Sequence, residues 1–161
     1  MDILGPLPLT PRGNRYVLVC SAYFTKWVEC IPMINQEAST VATVLVEQVF
    51  SRFGIPHELH SDQGANFESE LMTHLCDMLD IFKTRTTAYH PQSDGLVERF
   101  NRSLVDAMAK VLVKEQDWDL LIPLISMQYR ASRHKTTGYS PALLMLGREI
   151  RLPLDVLYPP H

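Results

Sequence analysis

The stretch that decides the fold covers residues 57–104; it begins HELHSDQGANFES and ends TAYHPQSDGLVERFNRSL. Its first part predicts a short buried strand, Glu58 to Ser61, which ends in an acid and a glycine turn that starts at Asp62. Its last part predicts a helix that opens after a proline and a glycine and carries Glu98 one turn inside it. Ligands gather outside the carboxyl ends of strands in α/β sheets, so the two carboxylates can meet in one cleft. Carboxylate oxygens of this kind suit Mg²⁺ or Mn²⁺.

The composition indicates one domain of ordinary size in an intracellular protein. The chain has 161 residues, of which 46% are apolar, and this is enough to bury a core. Its 15 basic and 18 acidic residues give a net charge of -3, so any DNA contact has to come from a local patch or from neighbouring domains. Three cysteines without metal-type spacing argue against a disulfide framework. Neither a membrane span nor a signal peptide is expected.

Apolar periodicity predicts the elements of the fold. Strands are predicted where β-type runs occur, with Pro32 ending the third: Met1 to Leu4, Tyr16 to Cys20, Trp27 to Ile31, Ile55 to Ser61 and Phe82 to Thr87. Helices are predicted where apolar residues recur at three and four: Glu37 to Phe53, Ser69 to Leu79, Gly95 to about Glu115, and Asp117 to Ser132 capped by Asp117. A short last helix is expected between Ser140, as its N-cap, and Gly147.

This order of elements predicts an α/β fold with a five-stranded mixed sheet, an antiparallel meander plus two parallel strands, flanked by helices. If the first strand lies in the middle, the fourth pairs beside it, and Asp2 then lies next to the strand end that bears Asp62. Residues 1–147 are expected to form this domain, and residues 148–161 an extended tail that contains prolines.

Three carboxylates, Asp2, Asp62 and Glu98, can therefore be placed on neighbouring elements. Two divalent ions held roughly 3.5–4 Å apart by such ligands can assist in-line phosphoryl transfer. The residues alone leave plainer interpretations open. Asp62 can be a turn former, Glu98 can pair with Arg102 on a solvated helix face, and Asp2 can be a surface residue.

Five stretches of the chain, taken together, match the motifs of one known family. They are DILGPLP from Asp2, FTKWVE from Phe24, HSDQGANF from His60, YHPQSDGLVERFNR from Tyr89 and SPALLMLG from Ser140. Together they resemble the catalytic core of retroviral and Ty3/gypsy-type retrotransposon integrases, which has a ribonuclease H-like fold. The 35 residues between Asp62 and Glu98 are the spacing that characterises this family.

The resemblance implies a metal-binding catalytic triad of Asp2, Asp62 and Glu98, with two Mg²⁺ or Mn²⁺ ions expected when DNA is bound. It implies that water cuts the 3′ end of the element's DNA and that the freed hydroxyl then attacks target DNA. It also implies six DNA contacts. Ala65 would approach target DNA; the others would lie against the element's own DNA end or its phosphates, namely Tyr89, Pro91, Gln92, Asn101 and Arg102.

The resemblance further implies partners and a compartment. The expected partners are the element's DNA ends, target DNA and a second copy of the chain, in a dimer through the helices at residues 37–53 and 117–132. With DNA, the full-length protein is expected to form a higher oligomer. The protein is expected to act in the nucleus after passing through the cytoplasm.

Three departures from the family's pattern support an alternative function. Only Met1 precedes Asp2, Ala22 stands where related elements commonly carry an Asp, and no zinc or C-terminal DNA-binding domain is found in these 161 residues. The alternative is a truncated or host-adopted module that binds DNA or protein with weak or no catalysis. A simple nuclease of the same fold is a third possibility, which the residues after Tyr89 and Glu98 disfavour.

Overall fold

The computed structural model describes residues 1–85, 117–153 and 155, and these contain two β-ladders with helices packed against them. Strands β1 (Asp2–Leu4), β2 (Tyr16–Ser21) and β3 (Val28–Met33) form an antiparallel sheet in that order. Strands β4 (Glu58–Ser61) and β5 (Phe82–Arg85) pair in parallel. The predicted fold class, an antiparallel meander plus two parallel strands with flanking helices, is confirmed.

Four helical elements have both ends in the described ranges. Helix α1 is α-helical over Ala38–Val44, π-helical over Leu45–Phe50 and α-helical again over Ser51–Phe53. The others are α2 (Glu70–Met78), α3 (Trp118–Ala131) and α4 (Pro141–Leu146). None of the helices in this part of the chain is long and apolar enough to cross a membrane. The predicted strand end at Thr87, the loop from Tyr89 and the helix from Gly95 to Glu115 fall outside the described residues.

A hydrogen bond links the residue before β1 to β4. The nitrogen of Met1 donates to the carbonyl of His60 over 2.6 Å, whereas the three-residue β1 otherwise pairs with β2. In the described residues the two ladders are separate sheets, and the predicted pairing of the first and fourth strands is represented by this contact rather than by a ladder.

The strand β2 lies at the centre of two apolar layers. Val17 and Val19 face α3, where they pack with Trp118 and Ile122. Leu18 faces the opposite side, in the layer that contains α1 and α2. Because successive side chains of a strand alternate between the two faces, the continuous apolar run in β2 fills both layers.

Serine caps fix the starts of two helices, and the one at Ser140 was predicted. The Ser69 hydroxyl accepts from the backbone N–H of Met72 over 3.2 Å, and the Ser140 hydroxyl accepts from that of Leu143 over 3.0 Å. Gly147 ends α4 with a φ of 70°, a left-handed conformation that glycine adopts without steric cost.

Three local predictions are wrong. Pro32 lies inside β3 rather than ending it, which is tolerated because β3 is an edge strand whose outer side needs no ladder hydrogen bond. Helix α1 is not uniformly α-helical, since a π segment brings the buried Leu45 and Phe50, five residues apart, onto one side. Asp117 makes no side-chain cap for α3, because its carboxylate pairs with Arg12 instead.

Candidate active site

Asp2 and Asp62 lie on the two strands that meet at the junction of the ladders. Asp2 opens β1 opposite Val19 of β2, and Asp62 directly follows the last residue of β4. Burial lowers the pKa of the Met1 ammonium, while Cys20, Asp2 and Asp62 each act in the opposite direction. The same nitrogen donates to the His60 carbonyl. Asp2, next to Met1, and Asp62, two residues after His60, therefore lie close in sequence to the two backbone segments that this hydrogen bond links.

The turn after β4 fixes the Asp62 carboxylate. Its Oδ1 accepts from the backbone N–H of Gly64 over 3.0 Å, and Phe67, only 1% exposed, anchors the end of the turn in the core. The turn-forming interpretation of Asp62 is thus confirmed. It leaves Oδ2 without a hydrogen-bond donor among the described residues, while the side chain as a whole is exposed. A carboxylate held by one oxygen with the other open can act as a metal ligand.

Gly64 is closely packed in this turn. A Cβ at this position would lie 2.9 Å from Oδ1 of Asn66 and 3.0 Å from Oδ1 of Asp62. The glycine therefore allows the backbone N–H to approach the Asp62 carboxylate closely. This is a steric reason for glycine in the DQGANF motif.

The Asp2 carboxylate is half-buried and turns back onto its own strand. Its Oδ1 accepts from the backbone N–H of Ile3 over 2.8 Å. The oxygen chemistry of Asp2 and Asp62 fits a hard divalent cation. In the described ranges, no three histidine, cysteine, aspartate or glutamate side chains come together as metal ligands, and the third predicted ligand, Glu98, falls outside them.

One of the six predicted DNA contacts can be placed. Ala65 lies exposed in the turn that follows Asp62, so its small side chain faces solvent beside the carboxylate. Its role toward DNA stays a prediction. The other five contacts, like Glu98, fall outside the described residues and stay predictions as well: Tyr89, Pro91, Gln92, Asn101 and Arg102.

Sequence reasoning missed an ion-paired group beside the turn. Glu68 pairs with Lys83 over 2.5 Å and with Arg85 over 3.3 Å, and the hydrogen bond from Lys83 is the main cause that lowers the pKa of Glu68. The alternation F-K-T-R was the available signal, because Lys83 and Arg85, two apart on a strand, point to the same face. These pairs tie the Asp62 turn to β5.

Beside these ion pairs lies an open cleft of about 400 Å³ between α2 and β5. Its lining includes Glu68, Cys76, Lys83 and Arg85. The Cys76 side chain is buried, and burial raises the pKa of its thiol, so this cysteine is a packing residue rather than a nucleophile.

Comparison with known proteins gives one consistent family. A family model described as the integrase core domain matches residues 1–91. The Pol polyprotein from transposon 412 of Drosophila melanogaster is 30% identical over 154 residues, which cover 95% of this chain and 12% of that protein. The Gag-Pol polyprotein of feline leukemia virus is 38% identical over 120 residues, which cover 73% of this chain and 7% of that protein. The chain thus spans only a small part of these polyproteins.

A solved structure agrees with the sequence relatives. The catalytic core domain of BIV integrase superposes with a TM-score of 0.67 at 26% sequence identity. The superposition covers 91% of this chain and 92% of that one, so it extends over both the antiparallel and the parallel strands.

Proposed function

Because the chain belongs to the integrase core domain family, whose model matches residues 1–91, we propose that it is the catalytic core of an integrase-type polynucleotidyl transferase. Its substrates are the 3′ ends of a retroelement's DNA, which it processes with water, and target DNA, which the freed 3′-hydroxyl attacks. The observation that supports the proposal is the hydrogen bond from the Met1 nitrogen to the His60 carbonyl, because it links the segment that carries Asp2 to the strand that Asp62 follows. Action on chromosomal DNA places the protein in the nucleus.

We propose that Asp2, Asp62 and Glu98 hold two Mg²⁺ or Mn²⁺ ions. When bound, such a pair of ions supplies activation of the attacking oxygen and stabilisation of the leaving oxygen. The protein's contribution is to hold the ligand carboxylates in fixed positions. Asp62 is held through Oδ1 by the Gly64 N–H, so its Oδ2 keeps one direction, and Asp2 is held on a strand that pairs with β2. No covalent link between protein and DNA is required, since the attacking groups are water and a DNA hydroxyl.

DNA is proposed to enter across the Asp62 turn. Ala65, exposed on this turn, leaves room for the target backbone. The residues that follow β5 are proposed to complete the site: Tyr89, Pro91 and Gln92 against the element's DNA end, and Asn101 and Arg102 toward its phosphates. The Glu68 ion pairs stabilise the relative position of the turn and β5, from which that segment continues.

A second copy of the chain is proposed as the protein partner. On α3, Leu120 and Leu124 are 57% and 55% exposed and lie four residues apart, so they form one apolar face. On α1, Val46 and Phe53 are 41% and 38% exposed. Exposed apolar faces on two helices suit the self-complementary interface of a two-fold dimer, and larger assemblies would form on DNA in a longer protein.

The test is cleavage of a branched DNA substrate in the presence of Mn²⁺. The unaltered chain is expected to cut it, and Asp62→Asn and Glu98→Gln are expected to lose at least a hundredfold in rate. Asp77→Asn, which removes an exposed carboxylate on α2, serves as the matched control and should cut normally. Cleavage that survives Asp62→Asn would exclude the proposed site.

A non-catalytic DNA- or protein-binding module is the second candidate, and Ala22 favours it. Ala22 lies three residues beyond Val19, the partner of Asp2, which is roughly 10 Å along the strand. Related elements commonly carry an Asp at this position, and here the side chain offers no ligand. In the same assay, absence of product together with retained DNA binding would select the module.

A further inference from the structure

An exposed aromatic pair lies on the connection between β2 and β3. Phe24 is 81% exposed, more than any other large apolar side chain in the described ranges, and Tyr23 is 65% exposed. Backbone hydrogen bonds close the turn, from Ala22 N–H to the Trp27 carbonyl over 2.8 Å and from Lys26 N–H to the Ala22 carbonyl over 3.0 Å. A fixed turn therefore presents two aromatic side chains to solvent, although the fold gains nothing from their exposure.

Lys26 stabilises this turn. Its ammonium lies 4.5 Å from the centre of the Tyr23 ring and donates to the Tyr23 carbonyl over 2.5 Å. Lys26 also adopts a φ of 61°, a left-handed conformation that the turn requires. The Lys26 ammonium is thus engaged within the turn, so an anionic ligand at this surface would have to bind other cationic side chains.

The connection between α3 and α4 lies beside this turn. Arg130, near the end of α3, donates to the Val28 carbonyl over 2.8 Å and places its guanidinium 4.4 Å from the centre of the Trp27 ring. After α3 the chain forms a second turn, closed by the bond from His134 N–H to the Tyr139 carbonyl over 2.9 Å. Burial and then the charge of Lys26 lower the pKa of His134, in keeping with the two turns being neighbours.

The second turn is basic. Residues 120–148 contain no aspartate or glutamate, and neither do residues 22–28. Arg133 and Lys135 are exposed, and neither pairs with a carboxylate of the described residues. Glu149, the first acid after this stretch, accepts from the Ser140 hydroxyl. A chain with a net charge of -3 therefore carries a local positive surface next to exposed aromatic rings.

We propose that this surface, called here the tip surface and made of Tyr23, Phe24, Arg133, Lys135 and Tyr139, binds single-stranded DNA. Unpaired bases stack on the exposed ring of Phe24, and phosphates meet Arg133 and Lys135. Aromatic side chains beside unpaired cations are the combination that single strands require, because every base has a flat face and every linkage a negative charge. The inference rests on the proposed function only in taking DNA as the ligand. It adds a contact outside the predicted triad and the six predicted DNA contacts.

The test is binding of a fluorescein-labelled oligothymidine by the 161-residue chain, followed by anisotropy with a chelator present so that no divalent metal contributes. Phe24→Ala is expected to weaken binding about tenfold. The Arg133→Gln/Lys135→Gln double variant is expected to reduce the slope of log affinity against log salt by about 1.4. Arg15→Gln and Leu9→Ala, exposed positions on the β1–β2 connection, are the controls and should bind within about twofold of the parent.

Unchanged affinity in Phe24→Ala, with its melting temperature preserved, would overturn the inference. So would a Phe24→Ala variant that binds normally but sediments as a smaller species than the parent, because the surface would then serve a second copy. The failure of the proposed function looks different. Loss of oligonucleotide binding in the tip variants, together with a parent that cuts no branched DNA, would leave the inference standing and remove the catalytic proposal.

Discussion

Asp119, at the residue scale, is a buried carboxylate held by side chains of the β1–β2 connection. It accepts from Thr10 over 3.0 Å, from Asn14 over 2.8 Å and from Nε of Arg12 over 2.8 Å, and its side chain is 2% exposed. The hydrogen bond from Arg12 is the main cause that holds the pKa of Asp119 well below its usual range. These contacts fix the start of α3 against the β1–β2 connection.

Asp119→Asn should lower the free energy of unfolding by about 2–3 kcal/mol, because it removes the charge of a buried acceptor that three donors face. In a chain of this size that corresponds to a fall in Tm of roughly 4–12 °C in calorimetry. Asp117→Asn is the control. It removes the exposed partner of the same arginine, 58% exposed, and should cost no more than about 0.5 kcal/mol.

The stability difference between the parent and Asp119→Asn should depend on pH in a predictable direction. Because the folded-state pKa of Asp119 is depressed, its contribution is complete above the unfolded-state pKa of about 3.9 and is lost as the pH falls toward the folded value. The difference in unfolding free energy between the parent and Asp119→Asn should therefore be constant near neutral pH and shrink below about pH 4. A difference that grows in acid would contradict this account.

Gly64→Ala should lower the rate of Mn²⁺-dependent DNA cleavage roughly 10–100-fold with a small change in Tm. The added methyl would lie 3.0 Å from Oδ1 of Asp62, so the carboxylate has to move. Gly138→Ala is the control, since its φ of 72° strains any side chain but no atom lies within 4 Å of the added methyl. It should lose stability and keep its cleavage rate; full activity in Gly64→Ala would show that this turn does not set the site.

At this scale the sequence predicted contacts between residues that are close along the chain and missed contacts between residues that are far apart along it. The cap at Ser140 and the turn at Asp62 depend on neighbours within a few residues, so their patterns were sufficient. The partners of Asp119 lie more than 100 residues away along the chain. The pairing of Asp117 with Arg12 was missed because this partner is also distant in sequence, so Asp117 was predicted as a cap instead.

At the scale of elements, one buried carboxylate joins β3 to two helices. Glu29 on β3 is 8% exposed and pairs with Arg130 of α3 over 2.9 Å and with Arg52 of α1 over 3.2 Å. It also accepts from the indole N–H of Trp27 over 2.8 Å. A buried charge that lost its partners would be costly, so these contacts specify how both helices pack on the edge strand.

Arg130→Gln should destabilise the protein by about 2–3 kcal/mol and Arg52→Gln by no more than about 1 kcal/mol. The reason is burial, since the Arg130 side chain is 17% exposed and that of Arg52 is 50% exposed. Arg130 also donates to the Val28 carbonyl, a contact that glutamine loses. Urea unfolding of the two variants measures the difference; equal losses would show that Glu29 does not depend on the buried partner.

The sequence predicted which elements form but not all of their details. The apolar run of β2 and the helical spacing of α2 and α3 were strong signals, since each reflects burial along one element. Pro32 was misinterpreted because the sequence does not show that β3 is an edge strand. The π segment of α1 depends on where Phe50 packs, which only the tertiary structure decides.

At the scale of the whole molecule, self-association is the property to test first. Leu124→Lys should convert a dimer into monomers, because it places a charge in the middle of the exposed apolar face of α3. Sedimentation at high protein concentration measures this. Leu9→Lys, at a position 63% exposed on the β1–β2 connection, is the control and should leave the dimer intact. A parent that sediments only as a monomer would contradict the proposed partner.

The sequence predicted the fold class, because strand runs and crossover connections restrict the topology to few arrangements. In the described residues, the predicted pairing of the first and fourth strands is represented by the Met1–His60 contact at the β1–β4 junction and not by a ladder. The candidate site is a different matter. Asp2 and Asp62 can be placed at that junction, whereas Glu98 and the residues around it fall outside the described ranges. Metal binding and DNA contact are properties of the assembled site with its ligands, and no pattern within one chain contains those ligands.

The melting temperature of the protein as a function of Mn²⁺ concentration tests the central claim, that Asp2, Asp62 and Glu98 form one metal site. At Mn²⁺ tenfold above its dissociation constant, the parent should gain about 3–6 °C, because the ion binds only the native state and relieves repulsion among the carboxylates. Asp62→Asn and Glu98→Gln should lose this gain, and Asp77→Asn should keep it. An equal gain in Asp62→Asn, or none in the parent, would contradict the account.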